Sequence, residues 1–177
     1  RGRDQRAPRG LVGATSRLMS VTSDIVSTYK GPRLVLARLF AMGEREAFAL
    51  VVIIGACIVA FVSRWPGLAR QAHESGAELN ALLGGALMGW IMAPLLFYAI
   101  AAIAHILAMI VGGKGTWYRA RLALFWALLA ASPLQLLWGL VEGFIGKGLE
   151  WQIVGVVWFA VFVWFWIAGM FEAERAD

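Results

Sequence analysis

The sequence predicts an all-α, polytopic transmembrane helix bundle of about four spans, and three observations lead there. The chain is 60% hydrophobic with only 15% charged residues and a mean hydropathy of +0.72, whereas soluble domains are about half apolar and about a quarter charged. Its apolar residues gather into long runs separated by short polar stretches. Nine of its 177 residues are tryptophan, and indole rings favour the membrane–water interface.

Residues 1–18, RGRDQRAPRGLVGATSRL, mix Arg, Gly and Pro without a sustained apolar period and read as a disordered basic extension. They lack the apolar centre of a cleavable signal peptide, and Met19, followed by SVTSDIVSTYKGP, has the look of a natural start. Residues 19–46 form a cytoplasmic segment. Ser23 and Asp24 are placed to cap a short helix through Tyr29, which Gly31-Pro32 ends. In the following stretch, 33–46, Leu34, Val35, Leu36, Leu39 and Phe40 stand beside Arg33 and Arg38. Such an amphipathic stretch is too short to span and is expected in the membrane interface, with packing beneath the bundle as the alternative.

Four spans then make up the bundle, 47–171. The first, 47–63, is flanked by Arg45 and Arg64, which can snorkel, and the polar stretch 63–80 is read as a loop. The second, 81–111, has 31 residues without Lys, Arg, Asp or Glu. At 1.5 Å per residue it would reach about 46 Å, too long for one perpendicular crossing of a core about 30 Å thick. One tilted helix bent near Pro94 is expected, rather than a re-entrant pair. The third span is 122–141 and the fourth 151–171, leaving 172–177 as a short acidic tail.

Charge sets the expected orientation. Residues 1–46 hold nine Lys/Arg against four acids, and 112–121 adds Lys114, Arg119 and Arg121 without an acid. The loops 63–80 and 146–150 are formally neutral. Basic segments stay in the cytoplasm, so both termini are expected on the cytoplasmic side of a bacterial cell inner membrane. Arg33, Arg38, Lys114, Arg119 and Arg121 then form an interfacial basic set near lipid phosphates. The net charge of +5 reads as this membrane signal and not as a nucleic-acid surface.

Candidate chemistry is sparse. The single cysteine, Cys57, excludes a disulfide framework and a cysteine metal cluster. His105 and Gln135 are the polar candidates within the spans, and intramembrane polar groups are functional suspects. His105 has no suitable partner one turn away, and the other histidine, His73, is in the opposite loop. Gln135 suits an interhelical hydrogen bond. Glu142, at the outer end of the third span, is expected to be hydrated. Gly112-Gly113-Lys114-Gly115-Thr116 lacks the spacing of a phosphate-binding loop and follows a membrane span instead of a strand. Gly85/Gly89 and Gly139/Gly143 are small-xxx-small pairs that allow close helix packing, in the bundle or on a partner. No catalytic residue, cofactor or metal site is predicted.

Two stretches, GGKGTWYRARLALFWALLAASPLQLL (112–137) and SDIVSTYKGPRLVLARLFAMGERE (23–46), resemble the bacterial branch of the Yip family, the Ypt/Rab-interacting membrane proteins. The likeness spans about 20–170 and is one of pattern: a Gly-rich loop, aromatic and basic residues, then an Ala-rich helix interrupted by Ser-Pro. It implies a cytoplasm-facing amino terminus and a scaffold or adaptor role without an active site. The expected function is therefore non-enzymatic: a scaffold, adaptor or accessory subunit, with lipids and other membrane subunits, or a second copy, as partners. The alternative is a small transporter or channel with a midplane site near Pro94, Pro133 and Gln135.

Overall fold

A computed structural model describes residues 21–175 as helices joined by short turns; the expectation for 1–18 lies outside this range. The helices are α1 (21–28), α2 (Pro32–Ala41), α3 (Glu46–Ser75), α4 (Leu79–Ile110), α5 (Trp117–Ala130), α6 (Ser132–Phe144) and α7 (Leu149–Ala173). The all-α class is as the sequence predicts. Helices α3, α4 and α7 are each long and apolar enough to cross a membrane, and α5 with α6 supplies a fourth crossing if the bent pair is one span.

The helix before Gly31 is already running at Val21, so Ser23 and Asp24 lie inside it instead of capping it. Ser27 and Thr28 donate their hydroxyls to the carbonyls of Ser23 and Asp24, one turn back, at 2.8 and 2.7 Å. Asp24 pairs with Arg38 of α2 at 3.1 Å. Pro32, at the start of α2, needs no N–H there and begins the new helix directly after the Gly31 break.

Of the two placements expected for the amphipathic stretch, the structure takes the packed one. Val35, Leu36, Leu39 and Phe40 are buried, while Leu34 on the opposite side is exposed. α2 lies against α7, and Gly169 makes the approach possible: a Cβ there would sit 2.7 Å from Leu36 Cδ1. Burying four large apolar side chains at about 1.5–3 kcal/mol each holds the segment to the bundle.

The first span does not end at 63. α3 continues to Ser75, where Gly76 (φ 69°) closes it in a left-handed cap, so the expected 63–80 loop shrinks to 76–78. The helix carries Pro66 in its interior at the loss of one backbone hydrogen bond. Contact with α6 supports this second half, as does an Arg70–Glu74 pair one turn apart at 2.7 Å. The 81–111 run is a single helix, α4, which contains Pro94.

The third span is broken. α5 and α6 meet at a 45° bend at Ala131–Ser132, instead of forming one helix over 122–141. Pro133 sits in the first turn of α6, where its missing N–H and its ring oppose continuation from α5.

α5 is the centre of the bundle. Ten of its fourteen residues are buried, including Phe125 and Trp126, as expected of a helix apolar on all sides. The indole N–H of Trp126 donates to Thr28 Oγ1 at 3.0 Å, so the buried ring pins α1 to the core. Along α7, Trp158, Phe162 and Trp166 stack one turn apart, with centroids 5.9 Å apart at each step. Trp138 of α6 continues the ladder at 5.5 Å from Trp158. Trp126, Trp158 and Trp166 thus serve interior packing, where composition alone suggested interface anchors.

Candidate functional site

Contacts between helix ends fix how the long helices traverse. Arg121, at the start of α5, reaches Glu46 at the start of α3, and the Lys114 N–H after α4 donates to the Glu174 carbonyl at the end of α7 at 3.3 Å. At the other end Arg64 of α3 pairs with Glu142 of α6 at 2.8 Å. Successive crossings therefore alternate in direction, and the five predicted basic residues share one end.

At that basic end each of the four predicted arginines lies beside an aromatic ring or an acid. Arg33 lies over Phe171 at 5.6 Å, Arg119 over Phe40 at 5.7 Å and Arg121 over Tyr98 at 5.7 Å. Arg38 holds Asp24, and Lys114 is exposed in the turn after α4. Tyr29 packs edge-on against Phe165 at 5.0 Å, and burial pushes its phenol above the ordinary tyrosine range.

His105 lies at this end and has a partner that the sequence reading missed. Its Nδ1 is 2.7 Å from Glu174 Oε1, and the other carboxylate oxygen, Oε2, accepts the Gly115 N–H at 2.9 Å. The His105 ring also meets Trp117 edge-on at 4.6 Å. Glu174 comes from the short acidic tail, so this clasp joins α4, the turn 112–116 and the end of α7. Gly113 and Gly115 are small because Glu174 lies against them: a Cβ on either would come within 3.0 Å of its carboxylate. The Gly-rich run thus cradles a carboxylate of the chain itself. Beside the clasp an apolar groove of about 510 Å³ runs between α4 and α7, lined by Leu107, Ala108, Trp166, Met170 and Phe171.

The opposite end holds a second charged cluster. Glu142 is buried, not hydrated as expected; Arg64 is 2.8 Å away and Lys147 3.7 Å. Gly67 faces it closely, since a Cβ there would lie 2.7 Å from the Glu142 carboxyl carbon. With Arg70, Glu74 and Lys147 it borders a polar pocket of about 440 Å³. No chain comparison adds to this picture. No family model, curated protein or solved structure matches the chain.

The two glycine pairs differ in use. Gly139 and Gly143 line the α3–α6 seam, where an added Cβ would sit 1.7 Å from the Ser63 carbonyl oxygen and 2.3 Å from Pro66 Cβ. Gly85 and Gly89 on α4 face open space, with nothing within 4 Å of such a carbon. Gln135 is buried and lines a small cavity together with Trp90 and Phe97, which stand on either side of Pro94. Pro133 is exposed and stands at the α5–α6 bend, so only Gln135 and the α4 segment around Pro94 come together. Among the described residues no three His, Cys, Asp or Glu side chains cluster as metal ligands would.

Proposed function

We propose that this chain is an integral protein of a bacterial inner membrane, with both termini cytoplasmic, which acts without catalysis as a scaffold, adaptor or accessory subunit of a larger membrane assembly. The observation that carries this reading is the state of α4. It is the longest helix, yet only Ala101 and His105 of its residues are buried, and Gly84, Gly85 and Gly89 lie uncovered beside Met88 and Met92. Glycine in a helix costs about 1 kcal/mol relative to alanine, and small residues in membrane helices let a second backbone approach. The same spacing at Gly139 and Gly143 is filled by a neighbouring helix of the chain itself. The partner is therefore a transmembrane helix of another subunit or of a second copy.

The basic end supports the cytoplasmic orientation and contact with anionic lipid, since Lys114 and Arg33 flank grooves lined by α7. Kinship with the Yip family rests on the two sequence stretches alone. The alternative, a small transporter or channel, draws on the meeting of Gln135 with the Pro94 segment of α4 around a cavity of about 80 Å³.

The test is recovery of a carboxy-terminally tagged chain from its native membrane in nanodiscs, with mass spectrometry of proteins and lipids. The wild type is expected with one membrane subunit, or a second copy, in fixed ratio. The double variant Gly85→Leu, Gly89→Leu is expected to lose that partner at least several-fold while melting as the wild type does. Recovery of the chain alone, or equal recovery by the double variant, would overturn the reading.

A further inference from the structure

Two grooves at the basic end share a wall. One runs between α4 and α7, the other between α2 and α7, and Ile167 and Phe171 of α7 line both. These two side chains, and Trp164 one turn before Ile167, are at least half exposed. They form a ridge with an apolar groove on each side. From Ile167 to the helix end at Glu174 the ridge runs about 10 Å along the axis.

The charges around this ridge are of one sign. Arg33 lines the α2–α7 groove, and its guanidinium lies over the Phe171 ring at 5.6 Å, on top of the shared wall. Lys30 adjoins Gly31 of the same groove, and Lys114 follows Gly113 of the other. All three cations are exposed, and none has an acidic partner among the described residues. Arg38 and Arg121, by contrast, already hold Asp24 and Glu46. The acids at the end of α7 are engaged as well: Glu174 by His105 and the Gly115 N–H, Glu172 by Arg175. Apolar walls therefore lie beneath uncompensated positive charge.

In a chain that spans a membrane, this end of α7 lies at the boundary between headgroups and acyl chains. Open grooves there accept any hydrocarbon, so it is charge that selects the occupant. An uncharged chain, or an apolar helix of another subunit, would leave the three cations without counter-charge. An anionic phospholipid brings a phosphate for them and one acyl chain for each groove. We propose that the ridge is a binding site for one two-chain anionic phospholipid. Its chains lie on either side of Ile167 and Phe171, and its phosphate meets Arg33, with Lys30 and Lys114 at the two groove mouths. The ring under Arg33 holds the guanidinium by its face and leaves its N–H edge for two phosphate oxygens. This inference rests on the reading that the chain spans a membrane, and not on its having a protein partner.

The test is native mass spectrometry of the purified, delipidated chain in detergent, given equal amounts of phosphatidylglycerol and phosphatidylethanolamine with the same acyl chains. The wild type is expected to retain one phosphatidylglycerol, several-fold in preference to phosphatidylethanolamine, and a single-chain lysophosphatidylglycerol should compete poorly. Arg33→Gln and Lys114→Gln should each lower retention about fivefold, the scale of one cation beside an anionic surface. Phe171→Ala keeps every charge and should also lower it, because the ring under Arg33 and the shared wall are lost. Arg45→Gln removes an exposed cation at the start of α3, outside both grooves, and should change nothing. Equal retention of the two lipids by the wild type would overturn the proposal. So would an Arg45→Gln loss as large as that of Arg33→Gln in proteins that melt with the wild type, since charge alone would then explain the binding. The chain is tested by itself, so loss of the adaptor reading leaves the result untouched, whereas a chain that stays in solution without detergent would fail the membrane reading instead.

Discussion

Replacing Gly139 with alanine puts a methyl group into the seam where α3 and α6 touch backbone to backbone. The new carbon would lie 1.7 Å from the Ser63 carbonyl oxygen and 2.7 Å from its carbonyl carbon, about 1.5–2 Å and about 1 Å short of ordinary van der Waals contact. Both obstacles are main chain, so no rotamer change relieves the clash and the helices must part. Parting them also loosens Gly143 on Pro66, Gly67 on Glu142 and the Arg64–Glu142 pair. Overpacking of this kind costs about 1–3 kcal/mol, and the better helix propensity of alanine returns at most about 1. With backbone on both sides the upper part of that range applies, for a net loss of about 2 kcal/mol, or a fall of about 4–8 °C in melting temperature on the scale of soluble domains of this size. The assay is thermal unfolding in one detergent, followed by circular dichroism. Gly89→Ala is the matched control, because nothing lies within 4 Å of its added carbon; it should melt at or slightly above the wild-type temperature in detergent-dispersed monomer. A Gly139→Ala protein that melts with the wild type would refute the backbone seam.

Two further perturbations probe the basic end. Glu174→Ala removes the acceptor of the Gly115 N–H and the partner of His105, so the turn 112–116 should open. Trypsin cleavage after Lys114, read by mass spectrometry, is expected to rise about tenfold, in line with the loss of a part-buried carboxylate acceptor; an unchanged rate would show that the turn is held by other contacts. Tyr29 has a buried hydroxyl without a partner among the described residues, and burial raises its phenol above the ordinary range. The raised value means that the fold favours the neutral form. Its contribution is complete below the unfolded value near 10 and is lost as pH climbs through the higher folded value. Tyr29→Phe should therefore melt at or above the wild-type temperature at neutral pH and lose part of the wild type's alkaline sensitivity; a clearly lower neutral melting point would contradict an unpaired hydroxyl.

The crossings were legible because uncharged length is a local property. The 81–111 run carried its single-helix reading in its own composition, and α7 lies within two residues of the expected 151–171. The pairing of charges was not legible in the same way. The closest cation to Glu142 in space, Arg64, is 78 residues away and the histidine at Glu174 is 69 residues away; only Lys147, 3.7 Å from Glu142, is also a sequence neighbour. The orientation argument did hold half of the answer. It placed the end of α4, and so His105, on the same side as the acidic tail, and an acid returning to a buried histidine was then within reach of inference.

Proline and glycine show the limit from another direction. Pro66 and Pro133 remove the same N–H, yet α3 runs through the first while the chain bends 45° at the second. The difference lies in their neighbours: Pro66 packs onto Gly143 of α6, which holds the helix in place, whereas Pro133 is exposed at the corner. Gly85/Gly89 and Gly139/Gly143 have identical spacing, and among the described residues only the second pair is covered. A small-xxx-small pattern states that a backbone is permitted to come close; what comes close is decided by the partner surface. For Gly139 that surface is Ser63 of the chain itself. For Gly85 and Gly89 the proposed occupant is a second transmembrane helix, which would offset the propensity lost at each glycine, because lipid chains gain little from a smooth backbone.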